Sequence, residues 1–546
     1  MDNKKWKILL PLIFAGVLVI GMLLGAKMKS GRVITPIDQT SVMNFSFSKY
    51  GKIKKVLSII EKNYVDSVGM DDIEDQGIAG LLKSLDPHST YIPKSDLKSA
   101  TEDLQGNFEG VGIEFYILND TLLVVSAIGG GPSEAVGIMA GDKIIEIDSE
   151  NVAGIEITNN KVIKKLKGPK GSKVAVGIFR NGSKDLKEFT ITRDKIPINS
   201  MDIAYMINET TGYIKLNRFS ATTYQEMMEG MFDLKDKGMT NLILDLRGNG
   251  GGYLSAATAI VDEFLVENQL IVYTEGRNQP TKKYNATERG SFLKDKLVVL
   301  VDEGSASASE IVAGAIQDWD RGTIIGRRSF GKGLVQEQVV FNDGSALRLT
   351  VARYYTPTGR SIQKSYDNGN EDYYNELNKR YEKGEFKEVD SIQILDTVKF
   401  VTPGGKIVYG GGGIVPDVFV PVDTFNYSVY FGKLFSAGAV NEFAYDYVDK
   451  NRAKFKKYAS AEEYVKSYTF GEAEMKVFLA FAEKKVPFNA KGYERSKKVL
   501  TTQLTALIGR RLYREQGYFP IMNQKDVVIK AALKELEKPQ LTGVYK

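Results

Sequence analysis

Two residues 25 positions apart carry the sharpest chemistry in this chain: Ser307 and Lys332. Ser307 lies in VDEGSASASEIVAGAIQD, Val301 to Asp318, where an apolar run enters a Gly-Ser-Ala turn and leaves with helical spacing. That pattern puts a hydroxyl at a helix start, where free N–H groups and the helix dipole converge as an oxyanion requires. A plainer reading stands beside it, because Ser307 and Glu310 are also spaced as a capping box. Lys332 lies in RRSFGKGLVQEQ, Arg327 to Gln338, between two glycines and ahead of a strand-like run. To act as a base near pH 7 it must lose its charge. From an ordinary pKa of about 10.4 that means a lowering of roughly three units, worth about 4 kcal/mol. Burial in a closed cleft can supply it. The plain alternative is an exposed loop lysine. Gly326 to Lys332 also spells G-x-x-x-x-G-K. Gly333 stands where a phosphate loop needs Ser or Thr, however, and a strand follows where a helix is required, so nucleotide binding is not expected.

Two glycine-rich segments can present backbone N–H groups. LDLRGNGGG, Leu244 to Gly252, is a strand entering a loop whose amides can form an anion nest or simply a tight turn. NFEGVGIEF, Asn107 to Phe115, can offer Gly110, Val111, Gly112 and Ile113 to a carboxylate and a strand edge to a peptide. In that reading Val162, Ile163 and Leu166 line the groove from a helix opposite; the alternative is an ordinary β-turn.

The rest of the composition narrows the chemistry. There is no cysteine, which excludes disulfides, thiol nucleophiles and iron–sulfur clusters, and the single histidine, His88, excludes a His-rich metal site. His88 follows a proline in LDPHSTYIP and reads as a loop histidine satisfied by backbone. With one histidine and no cysteine, a lysine is nearly the only base left to activate a serine. The 73 basic and 68 acidic side chains leave a net charge of +5, too small to imply a nucleic-acid binder.

The elements that must position these residues fall into several domains, about three or four for 546 residues. Lys4, Lys5 and Lys7 precede a 19-residue apolar run, Ile8 to Ala26, long enough for a membrane-spanning helix with its N-terminus in the cytoplasm. A cleaved signal peptide is the alternative, although no clean small-x-small site precedes Lys27 to Arg32. Residues 1–30 are thus expected to be a cytoplasmic stub and anchor, and 31–97 a linker and helical region with Ile53, Val56, Leu57, Ile60 and Tyr64 at helical steps. Residues 98–193 read as a small β-rich domain with two helices. Residues 194–424 alternate strand and helix, which argues for a parallel-strand α/β layer. A charged, Tyr-rich insertion interrupts that layer at 364–402, and residues 425–546 are helical and basic.

Taken together, the chain resembles the carboxy-terminal processing peptidases, the tail-specific serine proteases of family S41. LDPHSTYIP, FEGVGIEF, GPSEAVGIMAGDKII, LKGPKGSKV, LILDLRGNGGG, GSASASEIVAGAIQD, SFGKGLVQ, YYTPTGRSIQ and GIVPDVFV match its motifs in order, from about Phe45 to Pro421. The resemblance implies a PDZ domain inserted beside a crotonase/ClpP-like α/β protease core. It also implies Ser307 as nucleophile, Lys332 as general base, Gln336 orienting that base, and oxyanion donation by the backbone N–H of Ala308 and of Gly251 or Gly252. No metal or cofactor is implied. Partners are then proteins with exposed C-termini, captured in the PDZ groove and cut by the Ser-Lys dyad, and the inner membrane, reached by a single pass with the catalytic part facing the periplasm or cell exterior. The helical tail is suited to contacts in a homodimer. The insertion and that tail depart from the shortest members. A catalytically inactive PDZ adaptor and a crotonase-like acyl-CoA enzyme are the competing readings.

Overall fold

The computed structural model describes residues 51–539 apart from 119, 184 and 394–397. The apolar run Ile8 to Ala26, and the anchor expected there, lies outside the described residues. Among those described, no helix is long and apolar enough to cross a membrane. The chain divides into one unit ending at Glu74 and another from Asp75 onward. In the first, the expected helix is present as Gly51–Asn63, with its apolar residues unburied.

The second unit is organised on a six-stranded sheet in the order 201–206, 211–216, 241–245, 296–301, 323–326, 418–419. The first pair is antiparallel and the other four pairings are parallel. Strands of a parallel sheet are buried on both faces and so read as continuous apolar runs, as LILD and KLVVLV do. Alternate residues serve the two faces. Ile214, Leu242, Leu244, Val299 and Val301 pack with Met231, Ile260, Ile311 and Val312 of helices Thr223–Asp236, Leu254–Asp262 and Ala308–Asp318. Tyr213, Ile243, Val298, Leu300 and Ile325 face the other way, onto Val528, Ile529, Ala532 and Leu536. The last helix, Val527–Glu537, lies in the region expected to be helical and covers the open face of the core sheet. Lys296 Nζ caps its end through the carbonyls of Leu536 at 2.6 Å and Lys538 at 2.7 Å.

A second, antiparallel sheet stands beside the first. Its long strand Ala346–Tyr355 pairs with Leu334–Val340 along one side and with Thr90–Ile92 and Leu270–Glu275 at the two ends of the other. The region expected to be the PDZ domain is a sheet in the order 113–118, 121–127, 143–147, 173–179, 187–192, with helices Pro132–Ala135 and Asn159–Leu166. Strand 113–118 is its edge. Residues 107–110 pair with 194–197 and form the neck to the core. Helices between Val429 and Asn523 enclose their own aromatic-rich core. They grip the PDZ-like sheet from its outer face: Tyr445 stacks on Tyr116, Arg511 donates to the Val125 carbonyl, and Arg514 donates to the Ala127 carbonyl at 2.8 Å.

Candidate active site

Ser307 stands at the N-terminus of the buried helix Ala308–Asp318 with φ 54° and ψ −111°. A non-glycine residue in that region carries strain of order 1–3 kcal/mol and persists only where its surroundings over-determine it. The surroundings here are a buried carboxylate. Glu310, with no exposed surface, accepts the N–H of Ser307 at 2.8 Å, of Gly331 at 2.7 Å and of Lys332 at 2.9 Å, and the hydroxyl of Ser329 at 2.5 Å. Only half of the expected capping box forms. Glu310 reaches back to the Ser307 N–H, but its own N–H goes to the Ser307 carbonyl at 2.9 Å. The Ser307 hydroxyl has no hydrogen-bond partner among the described residues and is not spent on capping. Burial pushes the Glu310 pKa up to about 7 against the four donors that favour its anion.

The glycine-rich loop after strand 241–245 is stitched to the Ser307 turn. Asn249, fully buried, accepts the Ala306 N–H at 3.0 Å and the Ser309 hydroxyl at 2.8 Å on its carbonyl. Its side chain takes the Gly251 N–H at 2.9 Å. Gly251, at φ 99°, leaves no room for a side chain: a Cβ there would lie 2.8 Å from Ser307 Cβ and 3.0 Å from Ala308 N. Among the expected oxyanion donors, then, Gly251 is engaged with Asn249, while the N–H groups of Ala308 and Gly252 have no partner among the described residues. Two residues before Asn249, Arg247 grips buried Asp245 and reaches Asp526, the cap of the last helix, at 2.8 Å.

Lys332 is part-buried, and its pKa is lowered by burial first and by the Arg348 guanidinium second. Its Nζ lies 3.3 Å from Gln336 Oε1. Four residues along a regular strand span about 13 Å; here the contact forms because the strand bulges between Val335 and Gln336, and a bulge re-aims a side chain. Gln336 Nε2 donates in turn to the His88 carbonyl at 2.5 Å. The LDPHST turn is itself fastened by Asp86, which accepts the N–H of His88 at 2.8 Å and of Ser89 at 2.9 Å and the hydroxyl of Thr350 at 3.0 Å. Burial lowers the His88 ring pKa to about 4, and its Nε2 meets the Tyr373 hydroxyl at 2.8 Å.

Tyr373 belongs to the insertion, which is no loose excursion. Helix Asn370–Glu382 lies on the lysine loop. Arg380 donates to the carbonyls of Arg328 at 2.7 Å and Ser329 at 3.1 Å, and Glu385 pairs with both Arg328 and Arg380. Lys364, 2% exposed, sits over the rings of Phe330 and Tyr373 with Glu376 at 3.1 Å. The sequence offered little sign of this, because the buried face of that helix is Tyr and Arg rather than aliphatic. Asn249 and Asp86 did lie inside conspicuous motifs, and a polar residue between glycines or before a proline is the signal that could have singled them out.

In the PDZ-like region, Val111 and Gly112 have no partner for their N–H groups among the described residues, and Gly112 holds φ 71°. Gly110 and Val111 are buried and Ile113 half-buried at the start of the edge strand. The facing helix carries the other three expected groove residues. Val162 and Leu166 share the face packed on the sheet and are 0% and 4% exposed, so of the three only Ile163, at 38%, presents surface.

Known proteins match at two levels. Residues 210–370 match the model of peptidase family S41, and residues 430–514 match a family of unknown function, DUF8443. The carboxy-terminal-processing protease of Bartonella bacilliformis is 36% identical over 323 residues, 58% of this chain and 73% of that protein. Carboxy-terminal processing protease CtpB of Bacillus subtilis is 34% identical over 318 residues, 57% of this chain and 65% of its own. Among solved structures, a photosystem II D1 C-terminal processing protease matches 69% of this chain and 88% of its own at 26% identity and a TM-score of 0.37.

Proposed function

This chain belongs to the carboxy-terminal processing proteases of peptidase family S41, and we propose that it is a serine endopeptidase whose nucleophile is Ser307 and whose base is Lys332. One observation carries the proposal: Glu310 holds the backbone of Ser307 and of Lys332 on one carboxylate, beside a hydroxyl free of other bonds and an amine whose pKa burial lowers. In this mechanism neutral Lys332 takes the hydroxyl proton and Ser307 attacks the peptide carbonyl. The N–H groups of Ala308 and Gly252 receive the oxyanion, and the protonated lysine gives its proton to the leaving amine. Water then hydrolyses the acyl-enzyme by the same base. Gln336 is uncharged, so it orients the amine without raising its pKa as a carboxylate would.

Substrates in this reading are proteins with exposed C-termini. The PDZ-like domain would take the terminal carboxylate on the Val111 and Gly112 N–H groups and pair the tail along edge strand 113–118, with Ile163 across the groove. The apolar run Ile8 to Ala26 would anchor the enzyme in the inner membrane with its catalytic part outside the cytoplasm. The test incubates the wild type, Ser307→Ala and Lys332→Ala with an unfolded protein ending in an apolar tail, and reads product masses. Each substitution is expected to lower kcat by about ten-thousandfold. Cleavage by Ser307→Ala at the wild-type rate would refute the mechanism. A wild type that binds tails and cuts nothing would make the chain an inactive adaptor.

A further inference from the structure

Glu310 holds the N–H groups of Ser307 and Lys332, and a different side chain meets their carbonyls. The Tyr354 hydroxyl lies 2.7 Å from the Lys332 carbonyl oxygen and 3.0 Å from that of Ser307. Its ring is 1% exposed and packed in the main core, and its N–H donates to the Gly333 carbonyl at 3.0 Å. A phenol has one proton. The shorter arm, to Lys332, takes most of it, since the Ser307 oxygen already accepts the N–H groups of Glu310 at 2.9 Å and Ile311 at 3.0 Å. Burial raises the Tyr354 pKa well above the usual phenol value, so the group stays a donor throughout the working pH range. Strand 346–355 of the second sheet thus touches, through one atom, the turn that follows strand 296–301 and the loop that runs from strand 323–326 to strand 334–340.

We propose that Tyr354 is a positioning residue for the reaction, its hydroxyl fixing the Lys332 segment against Ser307 so that the amine stays within reach and shielded from water. The inference rests on the Ser307–Lys332 reading. It predicts something that core packing alone does not. Without the hydroxyl, the lysine loop loses its tether, water gains access to the amine, and the amine recovers part of its ordinary basicity.

The variant Tyr354→Phe keeps the ring and removes only the oxygen. Tyr355→Phe, whose ring stacks on Tyr273 outside this contact, is the control. Two readouts are taken across pH: cleavage of an unfolded protein with an apolar tail, and the rate at which a fluorophosphonate labels Ser307. Tyr354→Phe is expected to lower kcat and labelling by about ten- to a hundredfold with KM nearly unchanged. It should also move the acid limb of the labelling profile to higher pH, whereas Tyr355→Phe should match the wild type. A wild-type profile for Tyr354→Phe overturns the proposal. So does a loss that tracks a fall in Tm while the limb stays in place. Ser307→Ala, run alongside, separates the failures: if it still cleaves, the dyad itself is wrong, and if it is inert while Tyr354→Phe is normal, only the role of Tyr354 falls.

Discussion

The two halves of the proposed dyad are built in opposite ways. Ser307 follows a parallel strand, and most of its surroundings are local: Glu310, three residues on, takes its N–H, and Asn249 of the neighbouring loop holds Ala306 and Ser309 on either side of it, with Tyr354 the one distant group at its carbonyl. Lys332 is held by pieces gathered from far along the chain. Its Nζ rests on Gln336, Gln336 on His88, His88 on Tyr373, and Arg380 of the insertion clasps the loop from behind. A nucleophile needs only a sharp turn and a helix end, which a short sequence can specify. A lysine must be kept from water on all sides to lose its charge, and that takes long-range enclosure.

The surroundings of Lys332 are the more vulnerable to substitution. Arg380→Ala leaves Glu385 paired with Arg328 but strips the donors from the buried carbonyls of Arg328 and Ser329, at a cost of about 1–3 kcal/mol. Urea unfolding is expected to show that loss, with cleavage falling alongside; an unchanged midpoint would mean the insertion is dispensable. Gln336→Glu puts a carboxylate against the amine and raises its pKa. Each unit of that rise costs about tenfold in activity at neutral pH, recovered on going alkaline. A pH profile of kcat/KM settles it, and a loss independent of pH would contradict the positioning of Lys332 by Gln336. Tyr373→Phe loosens the His88 turn by one neutral hydrogen bond, with an expected stability loss of about 1 kcal/mol by denaturant titration and a severalfold drop in kcat. Smallest is Arg514→Ala at the grip on the PDZ-like sheet. It should cost about 1 kcal/mol at most, and its mark should be faster hydrogen exchange in strands 113–118 and 121–127 with labelling of Ser307 unchanged.

The same contrast governs what was legible in the sequence. The alternating strands and helices of the core could be read from apolar runs and turn glycines, as could the helix after Ser307 and the two-helix β domain. Those signals are local. The last helix was visible as a helix but not as part of the core, because Val528, Ile529, Ala532 and Leu536 say only that one face is apolar, not which sheet it meets. The Lys332–Gln336 contact depends on a bulge that spacing does not encode. Val162 and Leu166 illustrate the converse: an i,i+4 apolar pair marks the buried face of a helix, and these two pack on the sheet. The role of the LDPHST turn, whose backbone carbonyl rather than its imidazole meets Gln336, leaves no side-chain signature at all.

In the proposed mechanism Ser307 becomes reactive because Lys332 is uncharged where it sits. The most direct measurement is the rate of fluorophosphonate labelling of Ser307 against pH, in the wild type and in Lys332→Ala. In that mechanism neutral lysine is the active form and ionised Glu310, its pKa pushed up to about 7, holds both segments. Labelling of the wild type should therefore rise with pH and level off well below the ordinary lysine value of about 10.4. Lys332→Ala should label slowly throughout and lose the part of the limb that belongs to the amine. Equal rates and a common profile in the two proteins would contradict the claim.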